Sequence, residues 1–136
     1  MDQVTIKASI IAPIHKVWDY WTGPSHIVKW NTASEDWHTI TADNDLRVGG
    51  KFTSRMEAKD GSFGFDFEGT YDEVVPHKRI AYTLGDNRKV VVTFSEKEGI
   101  TEVVEAFEPE TENPVAMQRS GWQAILDNFK AYTENP

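Results

Sequence analysis

The sequence predicts an α+β domain in which a curved antiparallel sheet packs against one long C-terminal helix. Alternating apolar residues recur from Val4 to Phe107, short turns separate them, and Asn113 to Tyr132 has helical spacing. In that last stretch Met117, Gly121, Trp122, Ala124, Ile125, Phe129 and Tyr132 fall on one broad stripe at about 100° per residue. Asn113 is placed to cap the helix and Pro114 to occupy its first turn, where a missing N–H costs nothing. The helix has to bury its stripe against the sheet, and Gly121 is expected to allow close approach. A curved sheet gripping one helix tends to leave a pocket between the two.

Taken in order, Val4 to Ile11 alternates and reads as an opening strand that Ala12-Pro13 stops. Ile14 to Trp21 has helical spacing, with Ile14, Val17, Trp18 and Trp21 on one side. Gly23-Pro24-Ser25 breaks that helix, and Ser25 is placed to cap a short second one ending near Trp30. A strand over Trp37 to Ala42 runs into the turn Asp43-Asn44-Asp45. After Gly49-Gly50, Phe52, Ser54, Met56 and Ala58 face one way. Asp60-Gly61 is a hairpin signal. The return strand carries Phe63, Phe65, Phe67, Gly69 and Tyr71 against Gly64, Asp66, Glu68, Thr70 and Asp72, the alternation of a sheet with one wet face. Turns at Pro76-His77, Gly85-Asp86-Asn87 and Lys97-Glu98-Gly99 separate three more strands with inner rows Ile80/Tyr82/Leu84, Val90/Val92/Phe94 and Thr101/Val103/Glu105/Phe107. The order is β-α-α-β6-α over a single domain, residues 1–136, and short turns imply an antiparallel meander.

Charge and composition exclude several function classes. The formal net charge is −8 and no basic run occurs, so nothing displaces counterions from nucleic-acid phosphates or favours an anionic lipid surface. Without cysteine there is no disulfide, thiolate metal site or cysteine nucleophile. The start, Met-Asp-Gln-Val-Thr-Ile-Lys, lacks the form of a signal peptide, and no run approaches the length of a membrane span, so a cytoplasmic protein is expected. His15, His26, His38 and His77 sit in separate segments without metal-ligand spacing, and no cofactor motif occurs. His26 is expected at the surface, with the cavity mouth as the alternative.

The segments Ala12-Pro13-Ile14-His15-Lys16-Val17-Trp18, Gly23-Pro24 through Trp30, Gly69-Thr70-Tyr71-Asp72-Glu73-Val74-Val75-Pro76, and Gly121-Trp122 with Ile125-Leu126-Asp127-Asn128-Phe129 carry a resemblance. Over essentially its whole length the chain resembles the helix-grip fold of the START-like (SRPBCC) superfamily. Within it, the closest likeness is to the branch homologous to the C-terminal domain of the activator of the heat-shock-protein ATPase. The resemblance implies the fold, and a groove that superfamily members use for lipids, sterols, polyketides and plant hormones, or for cyclase and hydrolase chemistry. Activity does not follow from the fold.

The inner rows place Phe52, Met56, Phe65, Phe67, Tyr71, Tyr82 and Phe94 toward the final helix, with Trp30 and Trp18 closing one end where the resemblance sets the first helices. The alternative is a solid core. Glu105 falls in phase with the inner row. Buried, it needs a partner, a raised pKa or a polar ligand; a bulge or strand end would instead turn it to solvent. Gln118 lies near the middle of the helix's apolar arc, where it would meet a ligand carbonyl or hydroxyl, or else bond loop backbone. Arg119 is expected at the surface, and the row Asp66, Glu68 and Asp72 on the wet face. The expected site is Trp30, Phe52, Met56, Phe65, Phe67, Tyr71, Tyr82, Glu105, Gln118 and Trp122, holding a small hydrophobic molecule of aromatic, acyl or lipid-like type. No residue is assigned as catalytic. The alternatives are a protein-interaction module with a chaperone partner and, third, a cyclase or hydrolase using Glu105, a tyrosine or His26 as acid or base. Aromatic residues at the sheet edges would support a homodimer, and no pattern decides it.

Overall fold

In a computed structural model, which describes residues 3–135, the chain forms β1 (Val4–Ile10), α1 (Ile14–Thr22), α2 (Pro24–Trp30) and β2 (Trp37–Asn44). The remainder is β3 (Lys51–Ala58), β4 (Gly64–Val75), β5 (Arg79–Leu84), β6 (Lys89–Lys97), β7 (Ile100–Phe107) and α3 (Val115–Glu134). Met1, Asp2 and Pro136 of the predicted domain lie outside the described residues. All strands join one curled, antiparallel sheet in the order β1-β7-β6-β5-β4-β3-β2. Helices α1 and α2 carry the chain from one edge of the sheet to the other, and the meander returns until β7 pairs with β1. With α3 held in its curve, this is the α+β helix-grip architecture expected from the sequence.

Turn chemistry fixes the meander. Glu98 and Gly99 both have positive φ (54° and 80°) between the paired residues Lys97 and Ile100, the two-residue turn whose twist matches the flanking strands. Before β3, Gly50 lies so close to Asp45 that a Cβ there would sit 2.1 Å from the Asp45 carbonyl oxygen. That tight passage lets Gly49 and Gly50 exchange backbone hydrogen bonds with Tyr71 at 2.8 and 2.9 Å. A register shift between Tyr71 and Glu73 follows, and it returns Val74 to the row facing Ile80.

Helix α3 is fastened along β1, an edge strand. Arg119, Gln123 and Lys130 donate to the carbonyls of Thr5, Lys7 and Ser9 at 2.9, 3.3 and 2.7 Å. These alternate carbonyls point away from β7, so the helix satisfies an edge that would otherwise be free to pair with another chain. Phe129 is fully buried and meets Trp21 and Trp30 edge-on, with centroids 4.8 and 5.0 Å away. Higher up, Trp122 stacks flat on Phe107 at 4.1 Å. Arg119, expected merely at the surface, is therefore an edge tie.

Several local expectations are corrected. Strand β2 runs on through Asp43 and Asn44, which pair with Thr53 and Phe52 instead of turning. Ser25 and Asn113 cap nothing: Gly23 and Pro114 hold the N-cap positions with no side-chain cap bond. Met117 is 57% exposed, because the first turns of α3 project beyond the sheet. Leu126 takes the buried place instead. Nothing lies within 4 Å of a Cβ built on Gly121, so that residue permits no close approach. Phe63 precedes β4 and is largely exposed, edge-on to Trp37 at the tip of the β3–β4 hairpin.

Two substitutions test this account by thermal or denaturant unfolding. Phe129→Ala is expected to lose about 3–5 kcal/mol, the range for a fully buried ring. Gly121→Ala is expected to gain about 0.5–1 kcal/mol, since it adds helix propensity in open space.

Candidate functional site

Between α3, α2 and the inner face of β3, β4, β5 and β7 lies an open cavity of about 270 Å³. Nine of the ten residues expected at the site line it: Trp30 from α2, Phe52 and Met56 from β3, Phe65, Phe67 and Tyr71 from β4, Tyr82 from β5, Glu105 from β7 and Trp122 from α3. Alternation within each strand brings them together, because every second side chain enters the curve of the sheet. Seven of these nine are aromatic. Phe52 is central to it, with Tyr82 edge-on at 4.9 Å and Tyr71 at 5.3 Å.

Gln118 is the exception. Its Oε1 accepts from the Glu110 N–H at 2.8 Å, and its Nε2 donates to the carbonyls of Glu110 and Asn113 at 3.0 and 2.8 Å. The amide is spent on closing the loop between β7 and α3, and it does not reach the cavity. Phe94 and Trp18 also leave the expected wall: they pack on one another at 5.3 Å, in core on the far side of Trp21. His26 shares its Nδ1 with the Tyr132 hydroxyl at 2.6 Å and stacks on Tyr20, so it belongs to the helix junction. Asp66, Glu68 and Asp72 are exposed on the outer face, as their phase requires. There a shallow polar depression holds Thr83, whose hydroxyl donates to Asp72 at 2.6 Å.

Glu105 faces inward. Strand β7 is regular at this point, so no bulge turns the side chain out, and the residue is only 6% exposed. Its cross-strand neighbours are Ile6 and Val92, which offer no donor. Burial alone pushes its carboxyl up from 4.5 to about 8. Tyr82 shares the enclosure, and burial together with the nearby Glu105 charge drives its phenol well above the ordinary tyrosine value. Tyr71 differs, since its hydroxyl donates to Asn44 Oδ1 at 2.6 Å, and Asn44 Nδ2 donates to the Thr22 carbonyl at 2.7 Å. Burial still raises Tyr71 to about 12.

Sequence reasoning missed Trp21, Asn44, Ser54, Arg88 and Ile125, which also line the cavity. Ser54 was legible from its phase between Phe52 and Met56. Asn44 was hidden by a turn-like Asp-Asn-Asp run, and Arg88 by its place next to a turn.

The architecture defines the class: a helix-grip protein with an open, largely apolar cavity whose wall includes a buried carboxyl, Glu105, with no hydrogen-bond partner among the described residues. Residues 11–134 match the family described as Activator of Hsp90 ATPase homolog 1-like protein, and the chain belongs to that family, within the START-like superfamily. Solved structures similar to it include the AHSA1-like protein from Aeromonas hydrophila, 47% identical over 97% of this chain and 92% of that one, with a TM-score of 0.92. A protein from Cytophaga hutchinsonii is 52% identical over 98% of this chain and 92% of that one, with a TM-score of 0.85. The Aha1 dimer from Colwellia psychrerythraea shares the fold at 15% identity, covering 99% of this chain and 98% of that one, with a TM-score of 0.77. No curated protein matches the sequence. No helix among the described residues is long and apolar enough to cross a membrane.

The raised Glu105 pKa predicts a pH-dependent stability. The folded state holds a proton that the unfolded chain releases above about pH 4.5, so stability falls as pH rises from there to about 8. The slope reaches at most about 1.4 kcal/mol per pH unit. Glu105→Gln stays neutral throughout. It is expected to melt above the parent near pH 9 and close to it near pH 5; parallel melting curves across that range would show that Glu105 carries no such penalty.

Proposed function

We propose that the protein binds a small, mostly apolar molecule, aromatic, acyl or lipid-like, in the cavity under α3. The cavity carries this reading. At about 270 Å³ it approaches the lower end of small-molecule sites, roughly 300 Å³. Its chemistry suits such a site, with a broad apolar wall and few polar groups. On this reading Trp30, Phe52, Met56, Phe65, Phe67, Tyr71, Tyr82 and Trp122 supply apolar surface, and Glu105 orients the ligand. Gln118 has no part in it.

Native mass spectrometry of protein purified gently from its host, beside a denatured control, is the direct test. A discrete added mass that disappears on denaturation is expected. Ser54→Leu supplies the control, because it fills the cavity from the centre of β3. Roughly tenfold weaker binding of an apolar fluorophore is expected in this variant with the fold retained. Undiminished binding would place the probe elsewhere and remove the basis for the proposal.

The family's description favours a second reading, in which the protein contacts a heat-shock chaperone and stimulates its ATPase. Its readout is chaperone ATPase rate with and without added protein, and an unchanged rate counts against it. The Colwellia psychrerythraea relative is a dimer, which adds a second copy of the chain as a candidate partner. Sedimentation at increasing concentration distinguishes one copy from two.

A further inference from the structure

Resting on the reading that the cavity holds a small apolar molecule, we infer that this molecule carries a protonated amine, whose ammonium seats on the Glu105 carboxyl among the surrounding rings. The inference starts from charge accounting inside the cavity. Glu105 is buried on β7 between Ile6 and Val92, and no cation or donor of the described protein is committed to it. Among the described residues, Arg88 is the one cationic side chain on the cavity wall, and it is already engaged, with Asp86 at 2.7 Å and the Glu108 carbonyl at 3.4 Å. Asp43 also borders the space, and is itself exposed to solvent. The wall therefore offers a buried carboxyl with no cation of the described protein committed to it.

The rings point the same way. Trp30, Phe52, Tyr82 and Trp122 turn aromatic surface to the space, and the face of an aromatic ring attracts a cation. The Tyr82 hydroxyl provides a further acceptor near Glu105. A carboxylate ligand would oppose ionisation of Glu105 and find the cation of the wall already paired, and a neutral ligand would gain nothing from the attraction of the ring faces for a cation.

Binding moves one proton and makes no covalent bond. Near pH 7 the free protein keeps Glu105 protonated, since burial pushes its carboxyl to about 8. An ammonium beside it favours the carboxylate, so the amine arrives charged and the Glu105 proton leaves to solvent. The other groups facing Glu105 do not change charge at this pH. Tyr82 from β5 and Tyr71 from β4 are both raised above the usual phenol value. Neighbouring β1 and β6 present Ile6 and Val92, β3 presents uncharged side chains, and the helices present only Trp and Ile to the cavity.

The test is calorimetric titration near pH 7 with phenylpropylamine, phenylpropanol and phenylbutyrate, each in two buffers of different ionisation enthalpy. The amine is expected to bind roughly tenfold or more tightly than the alcohol, with net release of protons, approaching one per ligand. Glu105→Gln is expected to abolish both the preference and the release. Equal binding of amine and alcohol, proton uptake, or preference for phenylbutyrate overturns the amine assignment and leaves the cavity reading standing. Failure of all three probes to bind counts against both.

Discussion

The geometry of this protein follows from the need to satisfy the free edge of β1. An antiparallel sheet that curls without closing leaves two edges with unpaired backbone groups. Here the long helix serves one of them: Arg119, Gln123 and Lys130 reach the alternate carbonyls of Thr5, Lys7 and Ser9. Those ties hold α3 beside β1 and β7, where Trp122 can lie flat on Phe107. The lower half is wedged by Phe129 between Trp21 and Trp30. A helix drawn to one edge cannot also fill the hollow over β3 and β4 at the other side of the curve. The cavity is a consequence of that offset.

Polar groups in the interior separate into two kinds. Thr101 donates to the Ala12 carbonyl at 2.7 Å, Trp30 to that of Tyr20 at 2.9 Å, and Tyr71 is tied through Asn44 to α1. These bonds anchor the helices to the strands and to one another, and each satisfies a group whose desolvation would otherwise be costly. Glu105 does none of this. Its cross-strand neighbours are apolar on both sides, and burial shifts its carboxyl toward the protonated form.

The fold was legible because its signals are local and repeated. Each strand's alternation, and the turns at Asp60-Gly61 and Glu98-Gly99, fix a meander without reference to distant residues. The phase of Glu105 is that of Val103 and Phe107, but the sequence left a turn to solvent open, and only the regular pairing of β7 decides for the inward direction. What remained hidden depends on where elements end in space. Periodicity places Gln118 on the apolar arc of α3 but cannot say that this turn lies beyond the sheet, next to a loop whose backbone needs its amide. Phe63 alternates correctly and is still exposed, because the β3–β4 hairpin outruns the helix that would cover it. Ser25 and Asn113 have the right chemistry for caps, and neighbouring prolines set the helix starts instead.

The choice of residues around the hollow bears on what it is for. A sheet that needed only stability would place aliphatic side chains at the positions of Ser54 and Glu105, which both point into the core and both lack apolar bulk there. Replacing a buried ionisable group by a well-packed apolar one is often neutral or stabilising, and filling a void adds contacts. The chain instead carries a small hydroxyl and a carboxyl where packing alone would favour neither. Local departures from the rules of a good core concentrate at sites kept for another purpose. These two lie on opposite sides of one space, β3 and β7, and neither departure can be traced to a turn, a cap or an edge. Their joint placement is better explained by an occupant of that space than by the requirements of the fold.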